Sequence, residues 1–176
     1  MKEVTKDTIK VLLSEEQILK RLDEIAAQIN KEFEGESVHL VCILKGSVFI
    51  TCELARRITL PVTMDFMSVS SYGNETKSSG RVKILKDLDE SIEGRNVIVV
   101  EDIIDSGRTL AHLLQLLSHR EPKKLKLCTL LDKPDRREVE VNVDYIGFKI
   151  PDAFVIGYGL DYMQEFRNLP YVGYVE

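Results

Sequence analysis

The sequence predicts an α/β fold, a mainly parallel central sheet flanked by helices, and three observations carry that prediction. Strand-like and helix-like segments alternate through residues 14–131. Two strand segments, SVHLVCIL and NVIVVEDI, are apolar at consecutive positions, as a strand is when both of its faces are covered. Each runs into a short glycine-bearing turn that opens a helix, the first half of a βαβ unit.

Taken in order, Ser14 followed by Glu15, Glu16 and Gln17 is a capping box, in which the serine side chain accepts an orphan amide and Gln17 reaches back. Ile18, Leu22, Ile25, Ile29 and Phe33 then recur at helical spacing up to Gly35, predicting an amphipathic helix of about five turns. SVHLVCIL is the first strand, KGS its turn and VFITCELARRI the next helix. Residues 61–69 are β-branched enough for a second strand. SSYGNETKSSG, at 70–80, is polar, lacks apolar periodicity and predicts a mobile loop. RVKILKDL returns as a strand, NVIVVEDI is the strongest buried-strand signal, TLAHLLQLLSH carries leucines at helical spacing, and KKLKLCTLL is a further strand. Residues 143–176 break the alternation into short strand-like pieces and turns. No repeat or linker divides the chain, so a single domain over 1–176 is expected.

The 176 residues, 44% of them apolar, suffice for one sizeable core without disulfides. A net charge of −5 with scattered basic side chains leaves no footprint for nucleic acid. Cys42, Cys52 and Cys128 sit in apolar surroundings and form no C-x-x-C pair, which predicts packing residues in a reducing compartment. The opening MKEVTKDTIKVLLSEEQI lacks the features of a signal peptide, and no apolar run reaches membrane-spanning length. A cytoplasmic protein without membrane association is expected. His112 and His119 lie seven apart on one predicted helix with no other ligand type nearby, which argues against a transition-metal site.

The chemistry concentrates in VIVVEDIIDSGRTL, residues 97–110. Glu101, Asp102 and Asp105 cannot stay charged in a core, so they mark the carboxyl end of a central strand, where sheets of this kind bind ligands. Asp105, Ser106, Gly107, Arg108 and Thr109 form the turn into a helix. Amides without intrahelical partners and a positive dipole end suit an anion there, Gly107 permits close approach of a phosphate, and Ser106 and Thr109 add hydroxyl donors. The two adjacent carboxylates serve the opposite purpose, since oxygen ligands suit Mg²⁺ or the hydroxyls of a sugar.

A hydrophobic strand, two acids and then D-S-G-R-T resemble the ribose-phosphate and diphosphate signature of the type I phosphoribosyltransferases. LKGS at 44–47, SYGN at 71–74, LLDKPDRR at 130–137 and IPDAFVIGYGLDYMQEFRNLP at 150–170 resemble, in order and over nearly the whole chain, the hypoxanthine-guanine branch of that family in its compact bacterial form. The resemblance implies the type I fold, with a small C-terminal hood formed largely by residues 143–176 and a lid at about 70–80. It implies a Mg²⁺-dependent enzyme of purine salvage. The phosphoribosyl group of 5-phosphoribosyl 1-diphosphate would pass to N9 of hypoxanthine or guanine, giving IMP or GMP and diphosphate. A homodimer or homotetramer is implied as well.

By the same resemblance, Glu101 and Asp102 bind the ribose hydroxyls, while Asp105, Ser106, Gly107, Arg108 and Thr109 cradle the 5′-phosphate. Asp105 is also the general acid/base at purine N7, where moving a proton changes the nucleophilicity of N9. Lys133 meets the O6 carbonyl, so the amino group of adenine would be left facing an ammonium. Phe154 stacks on the base, Val155 offers backbone groups to its edge, and Asp161 adds backbone recognition. A metal is held by Glu101, Asp102 and Asp161, mostly through water or ligand hydroxyls. Lys45, Gly46 and Arg167 contact the diphosphate, and the Lys45–Gly46 peptide can be cis. Ser71 and Tyr72 close over the reacting centre and exclude water. Arg108 stands where some members carry Lys, which matters little if the backbone binds the phosphate. Ala153 stands where some eukaryotic members carry Lys, so their base preference does not carry over. A non-catalytic sensor of the phosphoribosyl ligand and a xanthine-guanine transferase are the competing functions. A sensor has no use for Asp105 and Lys133 together, and IPDAFVIGYGLDY tells against the xanthine-guanine type.

Overall fold

The computed structural model describes residue 5, residues 8–71 and residues 82–175. Its elements are β1 (Lys10–Leu13), α1 (Glu15–Glu32), β2 (Val38–Leu44), α2 (Val48–Arg57), β3 (Val62–Ser71), β4 (Val82–Lys86), β5 (Asn96–Ile104), α3 (Arg108–Ser118), β6 (Lys124–Asp132), β7 (Tyr145–Lys149), β8 (Val155–Ile156) and β9 (Val172–Tyr174). Six strands form the central sheet in the order β4-β3-β2-β5-β6-β7. β2 pairs in parallel with β3 and β5, β5 with β6, and β6 with β7, whereas β4 is antiparallel to β3. The order reverses at β2, which has β3 on one side and β5 on the other. The carboxyl ends of β2 and β5 therefore meet at a topological switch point, where sheets of this kind leave a crevice for ligands.

Strand alternation feeds two cores. Leu40, Ile98, Val100, Cys128 and Leu130 pack with Ile18, Leu22, Ile25 and Ile29 of α1 and with Ile50 and Leu54 of α2. Val41, Ile43, Val97, Val99 and Leu127 pack with Leu110, Leu113 and Leu117 of α3 on the other face. Burying each of these large side chains contributes about 1.5–3 kcal/mol. The predicted capping box forms, with Gln17 N donating to Ser14 Oγ at 3.3 Å and Ser14 N donating to Gln17 Oε1 at 2.9 Å.

β1 and Cys52 depart from the sequence expectation. β1, for which no local periodicity argues, pairs antiparallel with β9 and, with β8, completes a three-stranded sheet in the order β1-β9-β8. Its partners lie some 160 residues away in sequence, so no short window contains the signal. Within residues 143–176, β7 extends the central sheet, while β8 and β9 build the small sheet with β1. Cys42 and Cys128 are buried free thiols as expected, but Cys52 is exposed, because α2 turns Ile50, Thr51 and Leu54 inward instead.

β3 continues through Ser71. Tyr72 and the rest of the expected lid to residue 80, with Arg81, lie outside the described residues. Among the described residues, no helix is long and apolar enough to cross a membrane.

Candidate active site

The alternation of β5 runs on into its acidic end. Val97 and Val99 face α3, so Glu101 follows them; Ile98 and Val100 face α1 and α2, so Asp102 follows those. The sequence presents the two acids as one pair, and the strand separates them onto opposite faces. Glu101 lines a pocket of about 250 Å³ together with Asp105, Ser106, Gly107 and Thr109 over an apolar floor that includes Ile43 and Leu113. Among the described residues its Oε2 is buried without a hydrogen-bond partner, a position that a ligand hydroxyl can satisfy. Burial, and then the charge of Asp102, push the Glu101 carboxyl well above the usual carboxylate range.

Asp102 turns the other way, against the β2–α2 turn: a Cβ built on Gly46 would stand 1.5 Å from Asp102 Oδ2. Its Oδ1 accepts the Ile103 amide at 2.7 Å. Burial raises its pKa to about 6, although that amide and the positive charge of Arg167 act to lower it.

The anion turn forms where predicted. Gly107 caps α3 with φ 81°, in the left-handed region that only glycine adopts freely. The Ser106 carbonyl accepts the amides of Glu138 at 3.0 Å and Val139 at 3.1 Å, which anchors the turn to the segment after β6. The Arg108 guanidinium donates to Glu138 at 2.5 Å. The arginine side chain is thus engaged elsewhere, and the orphan amides of the helix start are what the turn offers an anion.

Lys45, Arg167 and Asp161 come together around a residue that the sequence did not single out. Gln164 Oε1 accepts from Lys45 Nζ at 3.1 Å and from Arg167 Nη2 at 3.3 Å, and the Gln164 amide donates to Asp161 Oδ2 at 2.9 Å. Arg167 also pairs with Asp161 Oδ1 at 2.7 Å and donates to the Gly159 carbonyl at 2.7 Å. Gly159 in turn packs on the β2–α2 turn, where a Cβ would stand 1.9 Å from the Gly46 carbonyl oxygen. The cis peptide in that turn joins Leu44 and Lys45, one bond before the Lys45–Gly46 bond expected. Tyr158, Met163, Gln164 and Phe166 all have positive φ. Non-glycine residues concentrated in that region are a mark of functional loops.

On the opposite rim, Lys133 follows the end of β6 and is 8% exposed. Its Nζ lies 3.6 Å from Asp152 Oδ1. Arg136 Nη1 lies 3.6 Å from Asp152 Oδ2, and Arg136 Nε donates to Asp105 Oδ1 at 3.0 Å. The Phe154 ring is 57% exposed and meets Tyr162 edge-on at 5.9 Å, while the Val155 side chain is buried in β8. Arg136, Asp152 and Gln164 are the residues that motif reasoning missed. Arg136 lies within LLDKPDRR, and Asp152 and Gln164 within IPDAFVIGYGLDYMQEFRNLP, but the motifs alone show no contact for any of the three.

Among the described residues, no three His, Cys, Asp or Glu side chains converge closely enough to hold a metal by themselves. Asp102 and Asp161 are nonetheless near enough for the second to raise the pKa of the first. Carboxylate oxygens are the ligand type that suits Mg²⁺, which fills the rest of its shell with water and ligand phosphates.

Comparison with known proteins agrees with this geometry. The family model described as a phosphoribosyl transferase domain matches residues 9–163, and the chain belongs to that family. Within it, the similarity is to hypoxanthine and hypoxanthine-guanine phosphoribosyltransferases. One of the latter, from Bacillus subtilis, is 50% identical over 167 residues, covering 95% of this chain and 93% of that protein. The bifunctional protein TilS/HprT of Listeria monocytogenes is 52% identical over 167 residues, 95% of this chain, and the chain spans 26% of that protein's length. The crystal structure of a hypoxanthine phosphoribosyltransferase from Staphylococcus aureus has a TM-score of 0.95 at 45% identity, covering 100% of this chain and 96% of the other. The fold is that of the type I phosphoribosyltransferases.

Proposed function

We propose that the chain transfers the 5-phosphoribosyl group of 5-phosphoribosyl 1-diphosphate to N9 of hypoxanthine or guanine, giving IMP or GMP and diphosphate in purine salvage. What supports the reading is an acidic strand end and a glycine-capped helix start at the switch point, an almost buried lysine after the neighbouring strand β6, and an exposed phenylalanine before β8. A phosphorylated sugar and a flat oxo-base are the ligand that satisfies all four.

In this reading the 5′-phosphate sits on Asp105, Ser106, Gly107, Arg108 and Thr109, and Glu101 and Asp102 take the ribose hydroxyls from either side of β5. Lys45, Gly46 and Arg167 face the diphosphate. Lys133 meets O6, Phe154 stacks on the ring, and Val155 and Asp161 meet its edge through their backbones. The N7 proton passes to the Asp105 carboxylate as N9 forms its bond to C1′ and the bond from C1′ to diphosphate breaks, the electron pair leaving with the diphosphate. Charge develops on the sugar, so water has to be kept out. β3 runs parallel to β2, so the chain leaves Ser71 at the same edge of the sheet as the site, which supports a lid formed by residues 70–80 with Ser71 and Tyr72. Mg²⁺ would be held by Asp161, Asp102 and Glu101 through water and ligand hydroxyls, and its chemistry is to neutralise the leaving diphosphate.

The same reading carries a homodimer or homotetramer, which light scattering on the purified protein tests, and a cytoplasmic location, in keeping with the buried free thiols of Cys42 and Cys128. Steady-state turnover of hypoxanthine, guanine, xanthine and adenine with the phosphoribosyl donor and Mg²⁺ tests the activity. Turnover of the 6-oxopurines and not adenine is the expected result, and absence of turnover with every base sinks the proposal.

A further inference from the structure

Four side chains of alternating charge run along the base-side rim: Lys133, Asp152, Arg136 and Asp105. The ammonium and guanidinium groups each lie 3.6 Å from a different oxygen of Asp152, and Arg136 Nε reaches on to Asp105 Oδ1 at 3.0 Å. Lys133 and Asp105 are the groups that the proposed function sets against purine O6 and N7. The other two touch no part of the base in that function. We propose that Arg136 and Asp152 are positioning residues that set Lys133 and Asp105 for the base. Arg136 holds the Asp105 carboxylate before the base arrives and turns to Asp152 as Asp105 takes up the N7 proton. This inference rests on the function proposed above and deepens it.

The physical case lies in what each link can do. Lys133 has an almost buried side chain on a short turn, and an ammonium in that setting needs a fixed counter-charge to keep one orientation. Asp152 supplies that charge and leaves its second oxygen for another cation. Arg136 is suited to the bridge because a planar guanidinium presents separate nitrogens to two carboxylates at once, which a single ammonium cannot do. A carboxylate held on a cation is ready to accept a proton but is a weaker base while the cation stays. An alternative acceptor beside it lets the arginine leave without an unpaired charge. Asp152 Oδ2 is that acceptor.

Both ends of Arg136 are about half exposed, so each link is modest and the effect belongs to the base side of the kinetics. Arg136→Ala is expected to raise KM for hypoxanthine and lower kcat by up to about fivefold each, with KM for the phosphoribosyl donor and the melting temperature unchanged. Arg136→Lys restores only one of the two contacts and should recover part of the loss. Asp152→Asn should also narrow the preference for hypoxanthine over adenine, because Lys133 loses its anchor. The double variant Arg136→Ala/Asp152→Asn should lose less than the product of the two single losses, since both break one chain. Equal KM for hypoxanthine and equal kcat in Arg136→Ala and the unaltered enzyme overturn the inference alone. So does a full multiplicative loss in the double variant. Absence of turnover in the unaltered protein overturns the proposed function and this inference with it.

Discussion

Gly46 lies so close to Asp102 that a Cβ on the glycine would stand 1.5 Å from Asp102 Oδ2. Gly159 closes the other side of the same turn, against the Gly46 carbonyl. The β2–α2 turn is therefore clamped between the end of β5 and the C-terminal segment, and there is no room for one more carbon.

Gly46→Ala forces either the turn or the Asp102 carboxylate to move. Overpacking of that kind costs about 1–3 kcal/mol. If the carboxylate moves, the loss falls on the donor, and kcat/KM for 5-phosphoribosyl 1-diphosphate should drop by roughly ten- to a hundredfold, on the scale of that energy. Steady-state kinetics with donor varied checks it; unaltered donor kinetics would show that the contact has no part in donor binding.

Asp102 also makes stability depend on pH. Its folded pKa of about 6 is above the unfolded value of 3.8. A carboxyl raised in this way contributes stability that is fully present below the unfolded value and is lost as pH rises through the folded one. Asp102→Asn cannot ionise and still offers an oxygen to the Ile103 amide. At pH 8 and without ligand it should be more stable than the unaltered protein by about 3 kcal/mol, or roughly 6–12 °C in Tm for a chain of this size. The difference should vanish towards pH 4, and thermal melts across that range decide it: a gap independent of pH would mean that ionisation of Asp102 is not its source.

Asp105→Asn should lower kcat by about 10²–10⁴-fold, the usual consequence of losing a general acid/base, while donor KM changes little. The carboxamide keeps the size of the side chain and removes its proton affinity. An unchanged kcat would take Asp105 out of the mechanism.

Lys133→Ala removes the cation proposed to face O6 and leaves Asp152 with Arg136 alone. The ratio of kcat/KM for hypoxanthine to that for adenine should fall, by about tenfold or more for a charged hydrogen bond of about 1.5–3 kcal/mol. If competition between the two bases shows the ratio intact, another group reads the 6-position.

Much of the architecture is legible along the chain because its signals are local. The capping box at Ser14 and Gln17, the helical stripe from Ile18 to Phe33 and the doubly apolar run from Val97 to Val100 each lie within a few turns or one strand, and all three appear as predicted. The anion turn at Gly107 is legible for the same reason: a glycine after an acidic strand end and before a leucine stripe describes its own geometry. β1 is the counter-example, since four residues with no clear period acquire their strand only by pairing with β9.

The candidate site divides along the same line. Residue types and their order suffice to propose a sugar, a phosphate and an oxo-base as the ligand, because those chemistries need acids, orphan amides and a cation in adjacent short motifs. Only the folded chain could press Gly46 between Asp102 and Gly159 and link Lys133 to Asp105 through Asp152 and Arg136. Those relationships join segments tens of residues apart. They are set by sheet order and close packing, which no local pattern of residues encodes.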